Sequence, residues 1–388
     1  MRRYLDNAYD GLSVLKTVRV DGQVFDCIPT SEQPALRGKA TMALPPAHAP
    51  LGTSGHRPVV NDHVACGTGT VPFARMDLRQ LARFPSLQAF LQKNKQSLPQ
   101  QQTASTQPLS GDGVQTPGGA HHYAVIISNA GASGGANADL NIWNPSAGAT
   151  SADYGMSLSQ IWVSGKSTTG ATQTLEVGWQ VQPNAWHTTN ATPFVYSTQD
   201  GYSKTGCYNL ECGQFVQTSN SVVFGSSLAS NQFSVPGGVQ PVLGVQWYWE
   251  ASSSNWWLAI DGDWVGYYPA SIYNGGDLAF GNRALTFEAG GEIASPDGSP
   301  SLAMGSGQFA STAYRQAAFI TNMFYIDSKM KAYYSDLSRG QYLVADPGCY
   351  TLSLAGINPG GLPNGVSTTS KNPQMSGASF YMGGPGCH

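Results

Sequence analysis

Charged residues are scarce in this sequence. Asp, Glu, Lys and Arg make up 11% of the 388 residues, against the usual quarter or so. No apolar run reaches membrane-spanning length, and no phosphate-binding loop is present. The histidines that follow residue 98 lack the spacing to a second ligand that zinc requires; they are His121, His122, His187 and His388. We therefore expect no membrane span, no nucleotide site, no metal and no cofactor.

Uncharged polar and aromatic residues take the place of charge. The chain has 46 Gly, 18 Tyr and 9 Trp, and short aromatic and β-branched runs lie between Gly, Asn and Ser clusters. Such runs indicate strands, and no long helical periodicity interrupts them. The sequence therefore predicts an all-β fold, most economically a twisted antiparallel sandwich.

Charge and composition divide the chain. Residues 1–98 hold twelve Lys/Arg and seven Asp/Glu (+5), and residues 99–388 hold eight and sixteen (−8), which together give the net −3. This asymmetry favours attraction between the two parts and argues against nucleic acid as a partner. Residues 99–119 are rich in Gln, Ser, Thr, Pro and Gly, as expected of a cleavable linker. We predict a small mixed α+β unit over 1–98 and a β-sandwich domain over 120–388.

The six cysteines favour disulfides over zinc, because no Cys-x-x-Cys and no interleaved His occurs. Sequential pairing, the simplest of fifteen connectivities, gives Cys27–Cys66, Cys207–Cys212 and Cys349–Cys387. Disulfides indicate an exported protein. No apolar signal core follows Met1, so we expect any signal peptide to be missing already.

Two strands each carry a carboxylate on a polar face. In 174–181, Leu175, Val177 and Trp179 point one way and Glu176 the other; in 283–288, Phe287 alternates with Glu288. Few Glu residues follow residue 98, so these two stand out as a catalytic pair. An aromatic-rich β-sandwich with paired carboxylates also suits a glycoside hydrolase or a carbohydrate-binding protein, which is the competing prediction.

Several ordered motifs resemble those of the neprosin family of secreted glutamic peptidases, across nearly the whole chain. In the N-terminal part they are DGQVFDC from Asp21 and QPAL from Gln33. In the remainder they are NIWNP from Asn141, LSQIWV from Leu158, EVGWQV from Glu176, TGCYNL from Thr205, GQFVQ from Gly213, NWWL from Asn255, VGYYP from Val265 and FEAGGE from Phe287.

The resemblance implies a bent β-sandwich peptidase that cuts after proline in acid and is preceded by an activation domain. Matched motif by motif, the catalytic pair is Glu176 and Glu288. Plant members usually have Trp after the second Glu, where this chain has Ala289, so a changed pocket and a looser proline preference are expected. Glu292 points to the same strand face as Glu288 and is the alternative second catalytic residue.

Paired carboxylates suggest how water is activated. Facing carboxyls do not both ionise in acid, so we assign Glu288 as general base and Glu176 as acid or oxyanion partner. Gln180 shares the face of Glu176 and is expected to contact substrate.

Three further residues are candidates for substrate binding, and the N-terminal unit is a candidate inhibitor. Tyr208, Asn209 and Trp257 are expected to line the cleft. We expect residues 1–98 to be an inhibitory prodomain, so that the chain is a zymogen whose partners are this prodomain and proline-containing peptides or proteins.

Overall fold

A computed structural model gives the architecture. It describes residues 1–38, 41–51, 64, 66–91, 93, 121–128, 131–147, 155–281, 283–356 and 377–387. The predicted linker over 99–119 lies outside the described residues.

The N-terminal unit combines short helices with a three-stranded antiparallel sheet in the order β1-β2-β3. Its elements are α1 (Arg2–Tyr9), β1 (Lys16–Val20), β2 (Gln23–Pro29), β3 (Thr70–Ala74), α2 (Leu78–Leu81) and α3 (Leu87–Leu91). Asp21 (φ 48°) and Gly22 (φ 83°) form the tight turn between β1 and β2. Asp and Gly tolerate this left-handed backbone, which explains why the sequence signal for a hairpin was correct.

The rest of the chain is built almost entirely of strands, with one short helix, α4 (Pro183–Trp186), among the described residues. The strands are β4 (His121–Ser128), β5 (Ser133–Asn141), β6 (Met156–Lys166), β7 (Thr172–Val181), β8 (Thr192–Thr198), β9 (Cys207–Tyr208), β10 (Val216–Gln217), β11 (Val242–Glu250), β12 (Asn255–Ile260), β13 (Asp263–Pro269), β14 (Thr286–Ala294), β15 (Ala318–Asp327), β16 (Ala332–Tyr334), β17 (Gln341–Val344), β18 (Thr351–Gly356) and β19 (Ala378–Gly383). Short 3-10 turns lie at Thr30–Glu32, Pro34–Leu36, Ser230–Gln232, Ala270–Tyr273, Ala310–Thr312 and Leu337–Arg339.

These strands form two antiparallel sheets. The seven-stranded sheet has the order β17-β4-β14-β6-β7-β8-β9. The nine-stranded sheet has the order β10-β13-β12-β11-β5-β15-β19-β18, with β16 beside β15. Because β6, β7 and β14 are adjacent in the first sheet, both predicted glutamate strands belong to one surface.

The sheets pack face to face over an apolar core. Leu175, Val177 and Trp179 of β7 belong to the same buried cluster as Trp247 and Leu258 of the other sheet. Each such side chain contributes roughly 2–3 kcal/mol by leaving water. The all-β sandwich is confirmed. One boundary differs: β14 begins at Thr286, and Leu285 before it is 40% exposed instead of buried with Phe287.

All three predicted disulfides are confirmed. Their Cα–Cα distances are 5.5 Å for Cys27–Cys66, 5.8 Å for Cys207–Cys212 and 5.1 Å for Cys349–Cys387. The first ties β2 to the loop before β3, and the second closes a small loop beside β9.

Candidate active site

The polar face of the seven-stranded sheet carries all the candidate carboxylates on β7 and β14. Strand register places Glu176 beside Trp162 of β6, and Trp162 beside Glu288 of β14. Opposed residues in an antiparallel ladder point to the same side. Glu176 and Glu288 therefore share a face, as predicted, with the indole of Trp162 on the strand between them.

Glu176 is fully buried and surrounded by donors. Its Oε1 accepts hydrogen bonds from Thr174 Oγ1 (2.8 Å) and Tyr202 Oη (2.7 Å). Its Oε2 forms an ion pair with the ammonium of Lys93. A buried carboxylate is costly unless it is paired and hydrogen-bonded, and these contacts meet that requirement.

Lys93 belongs to the N-terminal part of the chain, and its side chain is 4% exposed. Its Nζ lies 3.4 Å from Gln160 Oε1, 4.6 Å from the ring centroid of Tyr196 and 5.2 Å from that of Phe194. Aromatic faces attract a desolvated cation. The ammonium thus occupies a pocket with a carboxylate, an amide oxygen and two ring walls.

Gln160 connects this pocket to Glu292. Its Nε2 donates to Glu292 Oε2 (3.0 Å) while its Oε1 faces Lys93. The residues opposite Gln160 on both neighbouring strands are glycines, Gly290 and Gly178, so no side chain separates it from the carboxylates.

Glu292 is held in its ionised form. Burial works to raise the pKa of this carboxyl, but the hydrogen bond and charge of His121, followed by Lys93 and Tyr123, bring the pKa below its usual value. His121 Nδ1 contacts Glu292 Oε1 directly. Glu292 is therefore an anion in mild acid.

Glu288 has the opposite character. Burial raises the pKa of this carboxyl to about 7, against the lowering effect of the Thr286 hydroxyl, which donates to Oε1 at 3.0 Å. The negative charge of Glu176 raises it further. Glu288 therefore carries its proton in acid.

The departure at Ala289 does not lie beside the pocket. Ala289 is fully buried in the core between the two sheets, on the opposite face of β14 from Glu288. The expectation that this substitution changes the pocket wall beside Glu288 is therefore wrong, since adjacent strand residues point to opposite faces.

Comparison with known proteins identifies the family of the chain. The family model described as Neprosin matches residues 153–385, which include both glutamate strands. The chain belongs to the neprosin family. Its members are glutamic peptidases, so the chain is a peptidase.

Solved structures that resemble this neprosin include two of scytalido-glutamic peptidase bound to transition-state analogues. Identities are 10% and 8%, with 67% and 68% of this chain and 97% of each neighbour covered, at TM-scores of 0.32 and 0.29. A third is SCP-B of the eqolisin family with the tripeptide Ala-Ile-His, at 10% identity, 68% and 96% coverage and TM-score 0.29.

The other predicted site residues of this neprosin are distributed differently. Gln180 is buried on the same face as Glu176, in the cross-strand pair that follows the pair of Gln160 on that face. Tyr208 is buried beside that face against Phe90 of α3. The substrate-binding role of Gln180 and Tyr208 stays a prediction.

Asn209 and Trp257 do not lie on this polar face. Asn209 (φ 42°) forms a turn, exchanging hydrogen bonds with the backbone of Val195 through its N–H (2.9 Å) and Oδ1 (3.1 Å). Trp257 is in the nine-stranded sheet, buried against Ala35 and Leu36. Sequence parity indicates the face of a strand, but not which sheet contains it.

The N-terminal unit of this neprosin docks through uncharged contacts. Gln23 Nε2 donates to the carbonyl oxygens of Trp186 and Gly225 (both 2.6 Å), and Gln33 Nε2 donates to that of Gln217 (2.7 Å). Among the described residues, Lys93–Glu176 is the sole ion pair that joins the two parts. This ion pair lies at a candidate catalytic carboxylate, and the general charge attraction between the two parts stays a prediction.

Sequence reasoning missed Lys93, Gln160, Tyr202 and His121 as members of the site. Gln160 was detectable, because it shares a strand face with Leu158 and Trp162, and this face alternates with that of Ser159 and Ile161. Lys93 was not, because its contact joins segments 83 residues apart.

No helix in the described part of the chain is long and apolar enough to cross a membrane.

Glu211, in the Cys207–Cys212 loop, provides a pH-dependent stability prediction. Burial raises the pKa of its carboxyl to about 8, although the backbone N–H groups of Glu211 and Leu210 oppose this. In the unfolded chain the carboxyl ionises near its ordinary value of 4.5. As pH rises from that value towards 8, the unfolded chain loses the proton first, so stability decreases across this window by about 1.4 kcal/mol per unit of pKa difference.

We expect Glu211→Gln to raise the melting temperature at pH 8 by about 5 °C or more and to change it little at pH 4. Glu250→Gln, at the half-exposed end of β11, is the control and should have no such effect. Thermal unfolding at both pH values provides the measurement. Equal shifts at both would show that Glu211 is not a buried neutral acid.

Proposed function

We propose that this protein is an exported glutamic endopeptidase, made as a zymogen and active in acid on proline-containing peptides. The observation that carries the proposal is the ammonium of Lys93, which comes from the N-terminal part and is paired with Glu176. A cation in that position neutralises the carboxylate and occupies the space beside it. This contact supports the prediction that residues 1–98 are an inhibitory prodomain.

Glu176 needs a second carboxyl, and the contacts favour Glu292 over Glu288. A general base must be ionised at the working pH. The pKa of Glu292 is lowered, whereas that of Glu288 is raised to about 7, so in acid Glu288 holds its proton. Gln160 also connects Glu292, and not Glu288, to the Lys93 pocket. The sequence-based choice of Glu288 stays a prediction, which a comparison of Glu288→Gln with Glu292→Gln tests.

In the proposed reaction Glu292 takes a proton from water, and the water oxygen bonds to the peptide carbonyl carbon. Glu176 acts in its protonated form and gives its proton to the carbonyl oxygen, which stabilises the charge that develops there. The tetrahedral intermediate then expels the amine, which takes its proton from Glu292. Glu176 recovers its proton as the new carboxyl group forms, so both residues return to their starting state.

Acid has a defined point of action in the zymogen. Acid weakens pairs between carboxylates and ammonium groups, and Lys93–Glu176 is such a pair, whereas the amide hydrogen bonds of Gln23 and Gln33 do not titrate. Acid therefore loosens the segment around Lys93 first. Cleavage in the predicted linker then allows the whole unit to leave.

Proline preference has a physical basis in the same pocket. Once Lys93 withdraws, the rings of Phe194 and Tyr196 become open walls beside Glu176. Aromatic surfaces are the usual partners of proline side chains in peptide recognition. A proline next to the scissile bond would stack on these walls.

Acid incubation of the intact chain tests the proposal. We expect a cut between residues 96 and 119, identified by gel and N-terminal sequencing, and a rise of at least about a hundredfold in cleavage of a proline-containing peptide. A matched peptide with Ala in place of Pro should be cleaved at least tenfold more slowly. An intact chain as active as the cleaved one would contradict the zymogen proposal, and equal rates on both peptides would contradict proline preference.

A further inference from the structure

The outer face of the nine-stranded sheet carries a strip of aromatic side chains on the side away from Glu176. Trp264, Tyr267 and Tyr248 lie on this face, on β13 and β11, and Gln246 lies beside them. Neighbouring rings are in contact: the centroids of Tyr248 and Trp264 are 5.7 Å apart. We call these four residues the aromatic groove.

An extended proline-rich stretch of the N-terminal part occupies the aromatic groove. It is Ala43-Leu44-Pro45-Pro46-Ala47-His48-Ala49-Pro50-Leu51, which has no helix or strand and no Asp, Glu, Lys or Arg. Pro46 and Pro50 are buried, whereas Leu44 is 82% exposed. The fully buried positions are thus prolines; of the two leucines, Leu44 points away and Leu51 is half-buried against the cluster that contains Tyr248.

The groove mostly binds features that any extended peptide offers. Trp264 Nε1 donates to the carbonyl oxygen of His48 (2.8 Å), and Tyr267 Oη accepts from the backbone N–H of Ala43 (3.0 Å). Gln246 forms a two-point contact with Leu51, donating to its carbonyl oxygen (2.6 Å) and accepting from its N–H (3.0 Å).

A side-chain contact adds to these backbone bonds. The His48 ring meets that of Tyr248 edge-on, with centroids 4.8 Å apart. Aromatic rings that donate hydrogen bonds to the carbonyls of an extended proline-rich chain are a general mode of peptide recognition.

We propose that the aromatic groove is a second peptide-binding site, which holds an extended, uncharged, proline-rich segment of a substrate at a distance from the scissile bond. Residues 43–51 precede Lys93 in the chain, so release of the N-terminal unit empties the groove and the Lys93 pocket together. This inference rests on the proposed peptidase function only for its effect on catalysis; the binding itself is independent of it.

Binding is tested in the full chain, without activation, by replacing residues 43–51 with nine Gly and Ser residues. A fluorescent peptide with the sequence of residues 42–51 should bind this variant and not the wild-type chain, whose groove is filled. Replacing its three prolines by Ala should weaken binding at least about tenfold, as should Trp264→Leu or Gln246→Leu in the protein. Phe280→Leu, at a 62% exposed aromatic residue elsewhere, is the control and should change nothing.

If the folded variant does not bind the peptide, binds the alanine peptide equally well, or is insensitive to Trp264→Leu, the groove is a structural contact and the inference is overturned. Thermal unfolding establishes that the variant is folded.

Should the Gly/Ser variant not fold, the linker-cleaved wild-type protein provides the second test. A substrate extended by the sequence of residues 42–51 should have a KM about tenfold lower than its short parent, at similar kcat. Trp264→Leu should abolish this difference and leave the short substrate unaffected. Equal KM values with normal cleavage of the short substrate would overturn the inference alone, whereas failure to cleave any peptide would overturn the proposed function.

Discussion

Glu176→Gln and Glu292→Gln are each expected to lower kcat/KM of the cleaved enzyme by a factor of about a thousand or more, in protein that thermal unfolding shows to be folded. Gln keeps the shape of Glu but neither gives up a carboxyl proton nor accepts one from water. General acid–base catalysis contributes roughly 10²–10⁴-fold, and oxyanion stabilisation adds a comparable factor. Steady-state rates on a proline-containing peptide provide the measurement.

Glu288→Gln is the matched control, since it lies four residues away on the same face of β14. We expect it to retain activity within about tenfold, because in acid its carboxyl already carries a proton and is a neutral donor like an amide. The reverse result, an inactive Glu288→Gln and an active Glu292→Gln, would restore the pair predicted from sequence and refute the one favoured by the contacts.

Lys93→Met is expected to give the intact, uncleaved chain at least a hundredfold more activity than the wild-type zymogen. Removing one partner of a buried ion pair costs about 3–5 kcal/mol, which corresponds to about two to nearly four powers of ten in the closed population. Met fills similar space but leaves the Glu176 carboxyl available. Initial rates on a short peptide, with the chain verified as uncut by gel, provide the measurement.

Lys16→Met, at an exposed lysine of β1, controls for the loss of one positive charge from the N-terminal unit and should leave the uncleaved chain inactive. The acid threshold for activation should also move, with Lys93→Met opening at higher pH than the wild type because the ion pair no longer needs to be broken. If Lys93→Met stays inactive until the linker is cut, the amide contacts of Gln23 and Gln33 are sufficient for inhibition and Lys93 does not contribute to it.

Local patterns in the sequence predicted those parts of the site that depend on neighbouring residues. Alternation along residues 174–181 placed Glu176 opposite Leu175, Val177 and Trp179, because strand side chains point to opposite faces in turn. The same rule applied to Ala289 would have shown that it faces the core. The disulfides also followed from simple order along the chain.

Only the tertiary structure distinguishes the two carboxyls that could accompany Glu176 and shows which residues contact it. Glu288 and Glu292 have the same parity, so only the contacts of His121 and Gln160 separate an ionised carboxylate from a protonated one. These contacts join strands far apart in sequence, and no local pattern records them.

The same reason explains Lys93 and Trp257. The sequence determined that this protein is an all-β neprosin with a glutamate on a polar strand face and an N-terminal unit of opposite charge. Only the fold brought one lysine of that unit onto Glu176 and placed Trp257 in the other sheet, because pairing between distant segments depends on the whole packed structure.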